Sequence, residues 1–216
     1  MNVKVTQDTT WERALNAARR TIGKEPLDKE PGPAWKAKVL LAEHSPIKLV
    51  EYCIQFSELR QWVGVHLLRH QYMIPMIHSQ RSDRRDLTEE YPELTKILDT
   101  LESDIKESPD FNPRDYLPQG ELNDQDFYVN AQTLINISRK RLCGCSSKET
   151  REAWRAVKDA ISEIDPVMAS KMVPNCVYRG FCPELKCCGF CNSPKFPEIL
   201  AEYRKEAMGN GQKQQL

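Results

Sequence analysis

The stretch LLRHQYMIPMIHSQRSDRR, residues 67–85, gathers Arg69, His70, His78, Arg81, Arg84 and Arg85 around an apolar run broken at Pro75. Hydrophobic burial alone does not explain such a pattern, because every guanidinium or imidazole drawn from water needs a partner. Arginine offers a rigid fork of donors suited to phosphate, and a serine hydroxyl with backbone amides completes such a cradle, which makes Arg69, Ser79 and Arg81 candidates for holding an anion. The plainer reading is a solvated basic helix end, favoured by the helix dipole.

The surrounding chain limits what that anion is. It has 216 residues, of which 40% are hydrophobic and 29% charged, enough for a globular core with a small appendage. Lys+Arg and Asp+Glu are equal at 31 each, so no global field favours a long polyanion, while a local pocket for one or two phosphates is compatible with the balance. No apolar run approaches the roughly 20 residues that span a bilayer, and the start MNVKVTQDTTWERAL lacks the apolar segment of a signal peptide. These features predict a cytoplasmic protein with no membrane and no nucleic-acid partner. Its eight cysteines are then thiols or metal ligands and not a disulfide framework.

Working outward, TTWERALNAARRTIG predicts an amphipathic helix over 9–23, with Thr9 and Glu12 as a capping box and Gly23 as its stop. The proline-rich segment 24–38 reads as a turn-rich connection, and Ser45-Pro46 as a corner before a strand over 49–56. A helical period fits 60–70, placing His66, Arg69 and His70 on one face, and MIHSQRS reads as an extended return. Helices are expected over 92–105, 127–142 and 146–164, the last with Ser146 and Glu149 as a capping box, and a proline-containing loop over 107–124 carries Arg114. The end, 208–216, reads as frayed. On the helix NAQTLINISRKRL, Asn130, Gln132 and Asn136 suggest amide contacts to a planar heterocycle, the commoner alternative being a solvated polar face.

Taken in order over roughly residues 38–191, these segments resemble the flavin-dependent thymidylate synthase family. RHQYMIPMIHSQR keeps Arg69, His70, Ser79 and Arg81 of that family's Arg-His-Arg, seven residues, Ser, x, Arg signature. HSPI resembles its Ser/Thr-Pro corner, RDYLP its Arg-x-x-Leu-Pro element, and NAQTLINISRKRL its Asn-Ala-Arg-Ser-Leu helix; Glu149 and Arg151 match a following element. CVYRGFCPELKCCG is similar to a cysteine-bearing tail of some members.

The resemblance implies an α+β fold with helices packed on a mainly antiparallel sheet, a catalytic domain over 1–175 and a cysteine-rich tail over 176–216. It implies reductive methylation of dUMP to dTMP, with methylenetetrahydrofolate as carbon donor and FAD, reloaded by NADPH, as hydride source. By the same carry-over Arg141 is catalytic, favouring the N3-deprotonated pyrimidine. His66, Arg69, Ser79, Gln80, Arg81, Arg114 and Arg141 bind dUMP, and Ser45, Arg69, His70, Gln71, Asn130, Gln132 and Asn136 bind FAD. Homotetramers with shared sites are the implied assembly. The pattern departs at Gln71 and Gln132, each in place of Arg, at Ile77 in place of Glu, and at His66 in place of Gln. Those substitutions bear on which nucleotide and which one-carbon group are used, so a different pyrimidine nucleotide or one-carbon donor on the same scaffold is the nearest alternative. A zinc-stabilised nucleic-acid-binding protein is a more distant one.

Cys53 lies alone in an expected strand and reads as core. The remaining cysteines are clustered, and a structural zinc held by four thiolates drawn from Cys143, Cys176, Cys182 and Cys187 or Cys188 would clamp the tail; free thiols are the alternative. Cys188-x2-Cys191 alone has the tight spacing of a zinc knuckle.

Overall fold

The computed structural model describes residues 1–208. Among these residues, four strands, β1 (Asn2–Gln7), β2 (Glu51–Arg60), β3 (Ile74–Ile77) and β4 (Leu122–Asn130), form one antiparallel sheet in the order β1-β2-β4-β3. Helices are α1 (Trp11–Thr21), α2 (Pro33–Leu41), α3 (Gln61–Leu67), α4 (Leu87–Glu90), α5 (Pro92–Asp99) and α6 (Ser103–Lys106) in the first half. The second half carries α7 (Ala131–Arg141), α8 (Lys148–Ile164), α9 (Pro166–Lys171), α10 (Asn175–Arg179) and α11 (Phe196–Met208). The expected α+β architecture is therefore present. None of these helices is long and apolar enough to cross a membrane. The part of 208–216 beyond Met208, expected to fray, lies outside the described residues.

The sheet is covered on one face. Val5, Tyr52, Ile54, Phe56, Phe127 and Val129 point into a core completed by Trp11, Ala14, Leu134, Ile137, Trp154, Val157 and Ile161 of the helices. Phe56 and Phe127 meet edge to face with centroids 5.8 Å apart. At one end of this core Asp165 accepts from Trp11 Nε1 at 2.6 Å and from the Tyr52 hydroxyl at 3.0 Å, and its other oxygen caps α9 through Met168 N at 3.0 Å. Burial and the adjacent Asp165 carboxylate push the Tyr52 hydroxyl well above its ordinary range, so Tyr52 stays a donor.

The outer side of β3 is bare: Ile74 is 58% and Met76 60% exposed, with the half-exposed Tyr128 paired across from Ile74. Pro75 sits in this edge strand opposite Phe127, the position where a strand tolerates a missing N–H. Gly64 of α3 is needed for close approach, since a Cβ there would lie 1.9 Å from Gln125 Oε1 on β4.

Several elements differ from the sequence reading. The helix expected from Phe127 begins at Ala131, and Phe127–Asn130 end β4. The polar Asn123 and Gln125 occupy buried, core-side positions there, which hides the two-residue alternation. β1 was not anticipated, although Val3 and Val5 alternate with Lys4 and Thr6. α2 lies inside the expected connection and starts with Pro33 at its first turn. The helix expected over 92–105 breaks between Asp99 and Ser103. The helix expected over 60–70 ends at Leu67, with a turn carrying the chain to β3. Neither capping box forms. Thr10 and Ser147 are the N-cap residues, while the Thr9 hydroxyl donates to Leu49 O at 2.7 Å and accepts from Glu51 N at 2.7 Å, tying the start of α1 to β2.

Candidate functional site

α7 is the element that organises the site. Asn130 caps its start, its Oδ1 accepting from Thr133 N at 2.9 Å, and buried Ala131, Leu134, Ile135 and Ile137 fix its inner face. Buried Ser138 accepts from Trp154 Nε1 at 2.9 Å and locks α7 onto α8. Arg139, Lys140 and Arg141 fill the last turn, where cations complement the helix dipole.

Arg141 reaches from that turn to the end of α3. Its Nε donates to His70 Nε2 at 2.9 Å and an Nη2 hydrogen goes to His66 O at 2.5 Å. His70 must therefore be unprotonated on Nε2, and burial with the neighbouring Arg141 charge lowers its pKa to about 4. Burial first, and Arg69 second, lower the Arg141 pKa, which places the Arg69 charge beside it. Among the described residues neither arginine has a carboxylate partner, and no hydrogen bond occupies Arg141 Nη1 or the Arg69 side chain. His66 Nδ1 contacts the Thr150 hydroxyl at 3.2 Å and is fixed edge-on by Trp62, 5.3 Å away. Arg141 is half-buried and Arg69 exposed, so the two present positive charge at this surface.

A second group lies along the outer side of α7. Glu43, in the left-handed region with φ 48°, accepts from Gln132 Nε2 at 2.6 Å and pairs with Arg139. Asn136 Oδ1 accepts from Gln132 and Arg139, each at 3.3 Å, and the Arg139 guanidinium lies 3.6 Å over the Tyr178 ring. Ser45 opens the 3-10 turn Ser45–Leu49 that packs against α7. Ser45, Gln132 and Asn136 thus fall in one neighbourhood, whereas the Asn130 side chain is spent on its cap. Gln71 is exposed in the turn after α3. Glu43 and Tyr178 were missed by the sequence reading, and no local spacing marks either.

Ser79, Gln80, Arg81 and Arg114 form a third group, beyond β3. Arg81 makes a two-point ion pair with Asp83 at 2.9 and 2.5 Å, Ser79 Oγ accepts from Arg81 N at 3.3 Å, and Gln80 Nε2 donates to the Tyr91 hydroxyl at 3.4 Å. The Ser82 hydroxyl donates to Asn112 Oδ1 at 3.1 Å, which also accepts Arg114 N at 3.1 Å, so the two loops meet. Four residues of β3, about 13 Å of extended chain, run between this group and the Arg69–Arg141 pair. One chain therefore carries the nucleotide-site candidates as two separate patches. An apolar cleft of about 540 Å³ between α1 and α2, lined by residues including Leu15, Ile22, Trp35 and His44, contains none of them.

The cysteines cluster where α7 meets the tail. Sulfurs of Cys143, Cys145 and Cys188 lie within 4.8 Å of one another, as do those of Cys182, Cys187 and Cys191. The expected set divides: Cys143 and Cys188 share one triad and Cys182 belongs to the other. Cys145, Cys187 and Cys191 join them, while Cys176, buried on α10, falls in neither triad. Burial pushes Cys143 and Cys176 up to about 11, while the Gly189 amide holds Cys187 below the usual thiol range. Cys53 is a buried strand residue, as expected.

No family model matches the chain, and no curated protein matches it. Solved structures do. Flavin-dependent thymidylate synthase ThyX from Helicobacter pylori, complexed with FAD and dUMP, superposes with a TM-score of 0.61 at 17% identity, covering 80% of this chain and 100% of that one. A second structure of Helicobacter pylori ThyX with FAD and dUMP gives 0.60 at 16% identity, covering 80% and 99%. The four-stranded antiparallel sheet and the helices on its covered face give this chain the fold of flavin-dependent thymidylate synthase.

Proposed function

We propose that the chain is an enzyme that reductively methylates dUMP to dTMP, taking its carbon from methylenetetrahydrofolate. The observation that carries this reading is the half-buried Arg141 beside Arg69, two cations without an acid partner among the described residues, on a fold shared with proteins complexed with FAD and dUMP. Residues 1–175 serve as the catalytic part and 176–216 as the tail.

Arg141 is the catalytic residue in this reading. A permanent cation beside the uracil imide lowers the pKa of N3 without a titrating base and favours the electron-rich pyrimidine that is nucleophilic at C5. Neutral His70 orients the guanidinium by accepting from Nε, which leaves Nη1 for the substrate. Arg69 neutralises the nucleotide phosphate, and His66 lies at the rim. Ser79, Gln80, Arg81 and Arg114 complete phosphate and sugar contacts from another subunit of a homotetramer, since β3 separates them from Arg141 within one chain.

The donors around α7 fit FAD. Ser45, Gln132 and Asn136 present hydroxyl and amide groups to a heterocycle and its polyol chain, with Asn130 below them and Arg69, His70 and Gln71 at the adjoining edge. The negative charge of Glu43 is neutralised by Arg139, so it does not repel a pyrophosphate. FAD reduced by NADPH supplies the hydride when bound; the chain binds, orients and keeps the pyrimidine ionised.

Gln71, Ile77 and Gln132 support a second reading, in which the same scaffold takes a different pyrimidine nucleotide or one-carbon group, since each replaces a charged residue of the related pattern. An anaerobic assay with FAD, NADPH, methylenetetrahydrofolate and dUMP, read by product mass, decides. A methyl gain with tetrahydrofolate released supports the first reading. NADPH oxidation with unchanged dUMP supports the second, and no flavin binding removes both.

A further inference from the structure

The tail holds more sulfur than one structural ion needs. Cys182, Cys187, Cys188 and Cys191 lie in a segment with little core of its own: Leu185 at its centre is entirely exposed and Phe181 is 57% exposed. A segment of this kind needs a staple to keep one conformation. Outside Cys53, the cysteines form the two triads already described plus Cys176.

Cys176 lies outside both close sets but beside each of them. It is buried on α10, packs in the same small cluster as Cys182 and Cys191, and interacts electrostatically with Cys143, Cys182 and Cys188. The triads are themselves adjacent, since Cys143 also interacts with Cys182 across them. Gly144 presses against Cys188: a Cβ at Gly144 would lie 2.9 Å from its sulfur, so only glycine lets the two strands of the site approach this closely. Cys187 and Cys191 sulfurs are 3.3 Å apart. Sulfurs at the corners of a zinc tetrahedron are about 3.8 Å apart, so the observed spacing is close to that of a formed site.

The backbone supports at least one of these sulfurs as a thiolate. Cys187 accepts the amide N–H of Gly189 at 3.3 Å. Such amide-to-sulfur bonds are the outer contacts that stabilise and orient metal-bound thiolates.

From these positions we infer that the chain binds two zinc ions in a binuclear site, Cys143, Cys145 and Cys188 holding one, Cys182, Cys187 and Cys191 the other, and Cys176 bridging both. The count closes: three thiolates and a shared fourth give each ion four sulfurs, the closed tetrahedral set of a structural site. Each ligand that enters as a thiol releases its proton to solvent on binding, with no redox change. Two divalent ions and seven thiolates leave three net negative charges, and Arg151, which donates to Gly144 O at 3.1 Å and Ser146 O at 3.0 Å, sits beside them. Soft sulfur in tetrahedral sets also suits iron, but neither the C-x2-C-x2-C-x3-C nor the C-x4-C-x2-C run of iron–sulfur proteins is present, and Cys188-x2-Cys191 is divided between the triads. One ion staples the tail to the α7–α8 turn, and the other folds the tail on itself.

The test is metal stoichiometry on the full chain, purified reduced and without added chelator, then stripped and titrated with Co2+ while thiolate-to-metal absorption is followed. Two zinc ions per chain as purified, and a titration that breaks at two equivalents, are expected. Cys145→Ser and Cys182→Ser should each bind one ion fewer at stoichiometric metal, whereas Cys176→Ser should weaken both sites together by tenfold or more. One ion or none in the unsubstituted chain, iron with labile sulfide, or disulfides found by mass in protein that takes up no metal would each overturn the inference. Two ions retained at unchanged affinity in Cys176→Ser would remove the bridge.

Discussion

Asp165 and Arg141 are both charged groups drawn in from solvent, and their surroundings are opposites. Asp165 has its partners around it: an indole N–H, a phenol and a helix-start amide converge on its two oxygens. Among the described residues Arg141 is held by two bonds, to an imidazole and a carbonyl, and the charge that acts on it is another cation, Arg69. A saturated buried charge fixes architecture; one left with donors to spare is a candidate for ligand binding.

The difference is most sharply tested by Arg141→Ala. Turnover of the pyrimidine should fall by about 100- to 1,000-fold, the loss typical of removing one preorganised charge-stabilising donor, while FAD remains bound. Arg141→Lys should not rescue it, because an ammonium cannot reproduce the fork that engages His70, His66 O and substrate together. Loss of flavin along with activity would move Arg141 to the architectural side of the comparison.

Asp165→Ala should act in the opposite way. It leaves the buried Trp11 and Tyr52 donors without an acceptor and uncaps α9, a loss of about 2–4 kcal/mol in urea unfolding. Asp165→Asn keeps an acceptor oxygen and should lose less. At low temperature, where the fold survives, the Michaelis constant for nucleotide should be unchanged.

A smaller effect separates the two regions by pH. His70 has its pKa lowered to about 4 in the folded chain, below the ordinary imidazole value near 6.5, so between these values the unfolded chain binds more protons. Stability is therefore intact above about pH 6.5 and declines as pH falls toward 4, by about 1–2 kcal/mol after allowance for partial solvent screening. His70→Asn should flatten that part of the profile in pH-dependent unfolding, and an unchanged slope would place the acid sensitivity elsewhere.

The smallest effect is expected at Asp83→Ala. The Arg81–Asp83 pair is on the surface, so the melting temperature should not move measurably. Freed Arg81 should nonetheless bind the nucleotide phosphate more tightly, seen as a lower Michaelis constant. A rise instead would mean that Asp83 positions Arg81 for its ligand.

What could be read from the chain beforehand follows from the range of each signal. Arg69, His70, Ser79 and Arg81 are close in sequence, so their spacing carried the fold resemblance directly. The α1 and α8 stripes were legible because Trp11 and Ala14, and Trp154, Val157 and Ile161, repeat at helical spacing on faces that are buried. β4 was misread because Asn123 and Gln125 take core-side positions normally filled by apolar residues. Asp165, Glu43 and the grouping of the cysteines were illegible for a different reason. Their partners lie 154, 113, 89 and 96 positions away for Trp11, Tyr52, Gln132 and Arg139, and only the fold decides which distant residues become neighbours.

Pro75 in β3 bears on how copies of this chain can associate. A sheet edge normally invites another strand to extend it, and unchecked extension leads to fibres. Here the nitrogen that would face an incoming strand carries no hydrogen, so a backbone docking along β3 meets a missing rung midway through four residues. The apolar side chains beside it, Ile74, Met76 and Tyr128, are still available through the broad face of the sheet. Any association on this side would thereby be steered toward closed, face-to-face assemblies and away from open-ended polymers.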